Sequence, residues 1–271
     1  MLEPLEIARR RQPDPELEYG FVKGRISIIM PAFNEAECIT NSIATAMKQF
    51  ESIREDFEII VVDDGSTDET RRLAEGFYDR RVRVVGYDRN KGKGYALKEG
   101  FNFVTGEFSF LVDSDSEIHA SDLGNYVKEL ETVDLVIGSK RHPLSVVDSP
   151  TVRKFLSVGF NALERLLTGV RTSDTQSGLK GAKSTALFGI LPLLSVKRYA
   201  FDAELLTVAS IAKLRIKELP VQIHLNAAFS VGQVFRMLID LLGIAYRLRV
   251  KRWYQKNMVR MTETYKPMIT W

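Results

Sequence analysis

The sequence predicts an α/β fold built on a mostly parallel sheet flanked by helices. Short apolar segments alternate with segments of helical spacing through the first half of the chain, and most apolar segments stop at a polar turn. The helical segments are roughly 10 to 15 residues long, and strands joined by such helices form right-handed βαβ units. Apolar residues make up 45% of the 271 residues and charged residues 27%, so the chain can bury a core.

Each element of the first half follows from its local pattern. The strands are continuous apolar runs that end at Pro31 or at an acidic or glycine-containing turn. The helices carry apolar residues every three to four positions, and Ser66 followed by Glu69 predicts a capping box at the start of the second helix. The predicted strands are 26–30, 57–62, 82–86, 108–112 and 135–138, and the predicted helices are 35–50, 66–77, 95–104 and 122–131.

The alternation stops after Gly138, and helices dominate the second half. The pattern predicts an amphipathic helix over 152–170, a helix over 201–212, a strand over 216–223 and a long helix from Val231. The polar side of the last helix consists of Arg236, Asp240, Gly243, Arg247 and Lys251, with apolar residues around the rest.

The C-terminal segment is strongly basic. From Arg236 to Arg260 it has seven basic residues and one acid, Asp240. Such a helix either lies in a membrane interface and attracts anionic lipid, or packs on the core with its basic residues exposed to solvent. We favour the interface, and the helix 152–170 is a second candidate for that contact. The expected domains are a tail (1–24), a catalytic domain (25–230, divided at residue 140) and the C-terminal segment (231–271).

Composition excludes several classes of protein. The net charge is only +3, so general nucleic-acid binding is not expected. Cys38 is the only cysteine, which excludes internal disulfides and cysteine-based metal sites. The first 12 residues lack the apolar core of a signal peptide, and no segment has the length and hydropathy of a spanning helix. The oligomeric state is not predicted.

Acidic residues follow the fourth predicted strand. Asp113 and Asp115 are two positions apart in extended chain, so both carboxylates can face one cation, and Glu117 is a further oxygen donor. Mg²⁺ is usually held by one or two carboxylates together with substrate phosphates. The alternative is a polar turn, but the position directly after a buried strand favours a ligand site, because ligands bind beyond the carboxyl ends of parallel strands.

A second acidic loop, 63–68, follows the second strand. Its carboxylates can accept hydrogen bonds from a base or ribose, or they can form an Asx turn and helix cap. Two common nucleotide signatures fail nearby. Gly92 and Gly94 lack the third glycine of the dinucleotide fingerprint, and Gly94 stands where a P-loop needs Ser or Thr.

Together these motifs resemble the inverting glycosyltransferases of family 2, which have the GT-A fold. Within that family the chain is most similar to the dolichyl-phosphate sugar synthases, especially the glucosyl branch. The family motifs are Met30-Pro-Ala-Phe-Asn-Glu35, Val62-Asp-Asp-Gly-Ser-Thr-Asp68, Asn90-Lys-Gly-Lys-Gly94 and Asp113-Ser-Asp115. The closer similarity rests on Gly138-Ser-Lys140, Asp174-Thr-Gln-Ser-Gly-Leu-Lys180 and Arg198-Tyr-Ala-Phe-Asp-Ala-Glu204.

The resemblance implies a role for each site residue. The cofactor would be Mg²⁺ or Mn²⁺ on the donor diphosphate, held by Asp113, Asp115 and Glu117. The acceptor phosphate would be received by Lys140 or Arg141 with Arg153 and Ser157. The nucleotide sugar would be bound by Pro31, Phe33, Glu35, Val62, Asp64, Lys93, Asp113 and Ser114.

The implied reaction is a single in-line displacement at the anomeric carbon. The expected donor is UDP-glucose and the expected acceptor a polyprenyl (dolichyl-type) phosphate, which needs no strong base because it is mostly dianionic at neutral pH. A saccharide hydroxyl would need a base, for which Asp174 is the candidate; otherwise Asp174 holds backbone N–H groups. GDP-mannose as donor and a non-catalytic membrane scaffold are the alternatives. The expected location is peripheral, on the cytoplasmic face of a membrane.

Overall fold

The computed structural model describes residues 21–114, 118–120, 123–148, 151–170, 172–174, 178–196, 200–224 and 231–258. Most of the expected tail, residues 1–20, lies outside these ranges. The described strands form one mixed sheet, and helices cover both of its faces, so the predicted fold class is confirmed. The strands are β1 (Val22–Ala32), β2 (Phe57–Asp63), β3 (Val82–Gly86), β4 (Gly106–Val112), β5 (Ile118–Ala120), β6 (Leu135–Ser139), β7 (Val146–Asp148), β8 (Leu179–Lys183) and β9 (Ile216–His224).

The helices follow the strands in the predicted alternation through the first half. A 3₁₀ turn, Leu191–Leu193, and a π-helical turn, Tyr246–Val250, extend two of the later helices. The α-helices are α1 (Ile39–Glu51), α2 (Thr70–Glu75), α3 (Lys93–Phe101), α4 (Leu123–Leu130), α5 (Thr151–Thr168), α6 (Ser184–Ile190), α7 (Phe201–Ile211) and α8 (Val231–Ala245).

The sheet order puts the predicted strand ends on one edge. The order is β3-β2-β1-β4-β8-β6-β9-β5, with β7 also paired to β9. β1 is parallel to β2 and β4, whereas β8 is antiparallel to both β4 and β6, so the carboxyl ends of β1, β2, β4 and β6 share an edge. Alternate side chains enter different cores: Ile28 and Ile59 pack on one face, and Ile29 and Ile60 on the other.

The predicted capping box at Ser66 is wrong. The helix begins four residues later, at Thr70, and Ser66 and Glu69 do not form the predicted capping hydrogen bonds. Ser66 Oγ instead accepts the backbone N–H of Asn34 at 3.0 Å, and Asp68 accepts that of Thr70 at 3.0 Å. The segment 66–69 is therefore a loop that is bonded to the loop after β1.

Of the two long helices of the second half, α5 turns polar side chains inward, and α8 exposes a row of apolar ones. On α5, Asn161, Glu164 and Thr168 are buried, whereas Leu166 is 69% exposed. α8 packs against α5. The outer apolar surface, as we call it, combines Leu166 with a helically spaced row from α8 and the π-helical turn: Phe235, Ile239, Leu242, Tyr246 and Val250, each more than half exposed.

The predicted polar stripe of the last helix needs one correction. Arg236 and Lys251 are exposed as predicted, but Arg247 turns inward and forms an ion pair with Glu204, which is fully buried, at 3.0 Å. The Tyr254 hydroxyl donates to the same carboxylate. An unpaired carboxylate inside the protein would be costly, and this requirement fixes Arg247 on the core side. Within the described ranges, no helix has both the length and the apolar character needed to cross a membrane.

Candidate active site

The loops after β1 and β2 bind each other at the shared edge. Asn34 has a φ of +56°, which asparagine tolerates better than most residues, and its side-chain oxygen accepts the Thr67 N–H at 2.8 Å. Pro31 and Val62 are paired in register and buried, so their side chains lie beneath the edge. The neighbouring Phe33 is 41% exposed. An accessible aromatic ring therefore lies beside a fixed pair of loops.

Asp64 organises the loop that leads into α3. Its Oδ1 accepts from the Tyr87 hydroxyl at 2.6 Å and from Lys91 N at 2.7 Å. Its Oδ2 accepts from Asn90 Nδ2 at 3.1 Å and from Gly92 N at 2.8 Å. Burial, followed by the hydrogen bond to Asp64, raises the pKa of Tyr87 above its usual value. The buried carboxylate thus holds the loop 87–92 in place and defines the approach to Lys93.

The turn after β4 is attached to α1. Ser42 Oγ donates to the Ser114 carbonyl at 2.5 Å, and the Cys38 thiol lies 3.5 Å from the same oxygen. Cys38 also donates to Glu35 Oε2 at 2.9 Å, while Glu35 N donates to Thr70 Oγ1 at 2.7 Å. These contacts bring the predicted residues Glu35 and Ser114 together at the edge.

Four charges form a row from the edge into the interior. Lys93 Nζ lies 2.7 Å from Asp113 Oδ1 and 3.4 Å from Asp202 Oδ2, and Lys180 Nζ lies 3.0 Å from Asp202 Oδ1. Burial opposes the charged form of Lys93, but the two carboxylates outweigh it and raise its pKa. For Asp202, burial is likewise outweighed by Lys180 and Lys93, which lower its pKa. Lys93 and Asp202 are therefore both charged at neutral pH.

A second ion pair lies at the end of β6. Lys140 donates to Asp174 Oδ2 through its backbone N–H at 2.8 Å and through Nζ at 3.1 Å. Asp174 is 1% exposed, whereas Arg141 is exposed. Asp174 therefore receives a backbone N–H, which was one of its two predicted roles. Arg153 and Ser157 belong to α5, but their side chains lie outside the described part of the structure.

The sequence profile described as "Glycosyl transferase family 2" matches residues 27–187 of this chain. The match covers more than half of the sequence and includes the second half of β1, all of β2 and β4, and the edge that carries the site. The chain belongs to glycosyl transferase family 2. The family resemblance predicted from the motifs is thus confirmed.

Curated relatives agree along most of the chain. A dolichyl-phosphate beta-glucosyltransferase of Trichomonas vaginalis is 29% identical over 94% of this chain and 81% of its own length. The human dolichyl-phosphate beta-glucosyltransferase is 28% identical over 88% of this chain and 80% of its own length. The predicted similarity to this branch of family 2 is confirmed.

A solved structure also matches in fold. Glucosyl-3-phosphoglycerate synthase from Mycobacterium tuberculosis, crystallised with Mn²⁺, UDP-glucose and phosphoglyceric acid, superposes with a TM-score of 0.57. It is 21% identical and covers 82% of this chain and 78% of its own. At this identity the likeness supports the GT-A fold alone.

The described residues include part of the predicted cation site of this family 2 protein. Asp115 and Glu117 lie outside them, and among the described side chains no three His, Cys, Asp or Glu residues are grouped as metal ligands. Asp113 itself is a partly exposed carboxylate at a strand end, with an ammonium group 2.7 Å from Oδ1. A partly exposed carboxylate oxygen at a strand end fits a hard divalent ion, because such ions prefer oxygen ligands, and the ammonium would compete with the ion for this oxygen.

Sequence reasoning assigned no role to Asp202 or Lys180. Both stand in motifs that carry the resemblance, and the available signal was charge. Lys180 lies within a short strand between β4 and β6, and Asp202 lies in the first turn of a mostly apolar helix. A buried lysine needs a partner, so a charged residue inside a central strand indicates a buried ion pair.

Proposed function

We propose that this protein is an inverting, metal-assisted glycosyltransferase that moves glucose from UDP-glucose onto a polyprenyl (dolichyl-type) phosphate. The observation that carries the proposal is the convergence at the sheet edge of Asp113 and Lys93 with the fixed loops after β1 and β2. The names of the relatives support the sugar and the acceptor. The solved structure that matches in fold was itself crystallised with UDP-glucose and Mn²⁺.

The nucleotide sugar is proposed to bind along the edge. The residues assigned to it are Pro31, Phe33, Glu35, Val62, Asp64, Lys93, Asp113 and Ser114. Since Pro31 and Val62 are buried, they act through backbone atoms and by supporting the loops. Asp64 acts through the loop that it holds, because its carboxylate oxygens already accept hydrogen bonds from that loop.

Mg²⁺ or Mn²⁺ is proposed to be held by Asp113 and Asp115, with Glu117 as a further donor. Bound there, the cation supplies Lewis-acid stabilisation of the departing diphosphate. Lys93 adds a positive charge at the same place.

The acceptor phosphate is proposed to bind at the end of β6. Lys140, Arg141, Arg153 and Ser157 are the assigned residues. A phosphate oxygen attacks the anomeric carbon, the bond from that carbon to the diphosphate oxygen breaks, and UDP leaves with the electron pair as the configuration inverts. The acceptor needs no general base, because a phosphate monoester has a second pKa of about 6. The attachment of Asp174 to Lys140 supports an anion-receiving site over a hydroxyl-activating base.

A donor panel tests the proposal. Purified protein is incubated with Mn²⁺, dolichyl phosphate and radiolabelled UDP-glucose, GDP-mannose or other nucleotide sugars, and lipid-extractable label is counted. We expect label with UDP-glucose. Label from GDP-mannose alone would contradict UDP-glucose as the donor. Label that appears only on a saccharide acceptor would contradict a lipid phosphate as the acceptor. Binding of nucleotide sugar without any turnover would indicate a scaffold protein.

We also propose that the protein meets its acceptor as a peripheral protein on the cytoplasmic face of a membrane. The outer apolar surface supports this, since its side chains are exposed while the polar face of α5 is buried. Exposed basic residues follow it along the chain, and each basic group near an anionic leaflet contributes roughly 1 kcal/mol. These residues are Arg249, Lys251, Arg252 and Lys256.

Flotation with vesicles of phosphatidylcholine and phosphatidylserine tests the membrane contact. Phe235→Glu with Leu242→Glu puts charge into the outer apolar surface, and we expect most of the flotation to be lost. Tyr78→Glu is the matched control, because Tyr78 is 97% exposed outside that surface. Equal flotation of the double variant and the wild type would contradict the proposed contact.

A further inference from the structure

The row of charges extends far beyond the residues assigned to substrate. From the interior outward, the side chains of Lys180 and Asp202 are 2% and 8% exposed, and those of Lys93 and Asp113 are 31% and 26% exposed. Acidic and basic groups alternate, so the row has no net charge. It joins β8, α7, α3 and β4, which are four different elements of the fold.

A simple structural ion pair would need only the inner half of the row. Lys180 and Asp202 already balance each other at 3.0 Å. The second oxygen of Asp202 nevertheless faces Lys93 at 3.4 Å, a longer distance than the 2.7 Å from Lys93 to Asp113. Because Lys180 partly neutralises Asp202, this carboxylate attracts Lys93 without drawing it away from Asp113.

The backbone also fixes Lys93 beside Asp202. A Cβ atom on Gly94 would lie 2.5 Å from the Phe201 ring and 2.7 Å from the Val196 carbonyl oxygen. Only glycine allows so close an approach, so the first turn of α3 rests directly on the first turn of α7. The side chains of Lys93 and Asp202 are thus brought together by close packing of their neighbours in the chain.

Resting on the proposed function, we propose that Asp202 is a positioning residue of the cation site. Balanced by Lys180, it shares the Lys93 ammonium with Asp113, and this sharing sets how tightly the Asp113 carboxylate takes a divalent cation. The ammonium shares Oδ1 of Asp113 and repels a second cation, so it weakens cation binding. Asp202 limits that competition, because it also attracts the Lys93 ammonium, from the interior side, and so weakens the hold of this ammonium on Asp113.

The proposal predicts changes of opposite sign within one row. Lys93→Met removes the competing ammonium, so Mn²⁺ should bind more tightly. Lys180→Met leaves Asp202 unbalanced; Asp202 then pulls Lys93 inward, and Mn²⁺ should again bind more tightly, by a smaller factor. Asp202→Asn leaves Asp113 as the remaining carboxylate partner of Lys93, so Mn²⁺ should bind more weakly. Each change is expected to be about three- to tenfold, which is usual for coupled charges in contact.

Mn²⁺ affinity is measured on the full-length protein by titration calorimetry and by the electron paramagnetic resonance signal of free Mn²⁺, first without nucleotide and then with saturating UDP, which supplies the diphosphate. Matched controls remove the same charges elsewhere: Asp134→Asn from its pair with Arg215, and Lys217→Met from its pair with Glu129. Both controls should bind Mn²⁺ as the wild type does. Circular dichroism and thermal unfolding establish that each variant is folded.

The outcomes separate the two proposals. A wild-type protein that binds no Mn²⁺ contradicts the metal-assisted function, and the positioning role with it. A wild type that binds Mn²⁺, together with Asp202→Asn and Lys93→Met variants of unchanged affinity, overturns the positioning role alone. So does a uniform weakening that follows the loss of stability, since the positioning role requires changes of opposite sign. If Lys180→Met does not fold, the other two variants decide.

Discussion

The strand half and the helical half of this molecule treat polar side chains in opposite ways. In β2, the residues from Ile59 to Val62 are buried and the polar residues follow at the strand's end. In α5, Asn161 and Glu164 are buried while Leu166 is exposed. Hydrophobic patterning identifies an apolar and a polar face in both regions. The rule that the apolar face packs in the core holds only if the outer face contacts water. α5 departs from this rule, and the membrane contact proposed above would account for the departure.

The largest expected effect tests the strand half. Asp115→Asn removes one of the two carboxylates proposed for the cation, and transfer should fall by at least about 100-fold, because loss of charge stabilisation acts on the leaving diphosphate. The measurement is lipid-extractable label from UDP-glucose as Mn²⁺ is varied. Asp134→Asn, in a surface ion pair, should keep activity within about twofold of the wild type. Unchanged transfer by Asp115→Asn would refute the assigned cation site, and the strand half would then no longer be the proposed place of the chemistry.

The strand half could be predicted because its local and tertiary preferences agree. The residues of β2 form an apolar run long enough for a buried strand, and the acidic turn ends it. β8 was missed because its five residues include two lysines and a glycine, and it is a strand only because β4 and β6 pair with it on both sides. The row that contains Lys180 could not be predicted for the same reason: three-dimensional pairing, not sequence spacing, brings its members together.

In the helical half, the sequence predicted where the helices and strands lie along the chain but not which of their side chains face the core. The bounds of α7 and β9 agree with the predicted ones to within one residue. Arg247 was assigned to the solvent-exposed side because the sequence pattern of the last helix shows one basic stripe. No local signal indicates that Glu204 is buried where Arg247 can pair with it. The site residues Asp115 and Glu117 remain predictions from the sequence.

The next largest effect concerns the attachment of the helical half to the core. Arg247→Met leaves the buried carboxylate of Glu204 without its guanidinium partner, and the free energy of unfolding should fall by about 3 kcal/mol. Urea unfolding followed by circular dichroism measures it. Arg215→Met is the matched control, since it removes an exposed ion pair with Asp134 and should cost about 0–1 kcal/mol. Equal losses in the two variants would mean that Arg247 is solvated like a surface residue, as the sequence pattern first indicated.

Smaller effects are expected from glycine substitutions in the strand half. Gly94→Ala places a methyl group against the Phe201 ring and the Val196 carbonyl oxygen, and the neighbours must move. Overpacking of this kind costs about 1–3 kcal/mol. Thermal unfolding measures the loss, and Mn²⁺ affinity should change with it because Lys93 precedes Gly94. A variant as stable as the wild type would show that α3 and α7 are not tightly packed.

The smallest effect has the opposite sign and comes from α5. Gly159 lies inside this helix and is exposed, and in the described part of the structure nothing beyond the helix's own backbone lies within 4 Å of an added Cβ. Gly159→Ala should therefore stabilise the protein by about 0.5–1 kcal/mol, since alanine loses less conformational entropy in a helix. Urea unfolding measures the gain, which should persist when vesicles are present. A loss of stability instead would mean that α5 packs closely against another group at this position, and the outward face of the helical half would then be smaller than the exposed residues indicate.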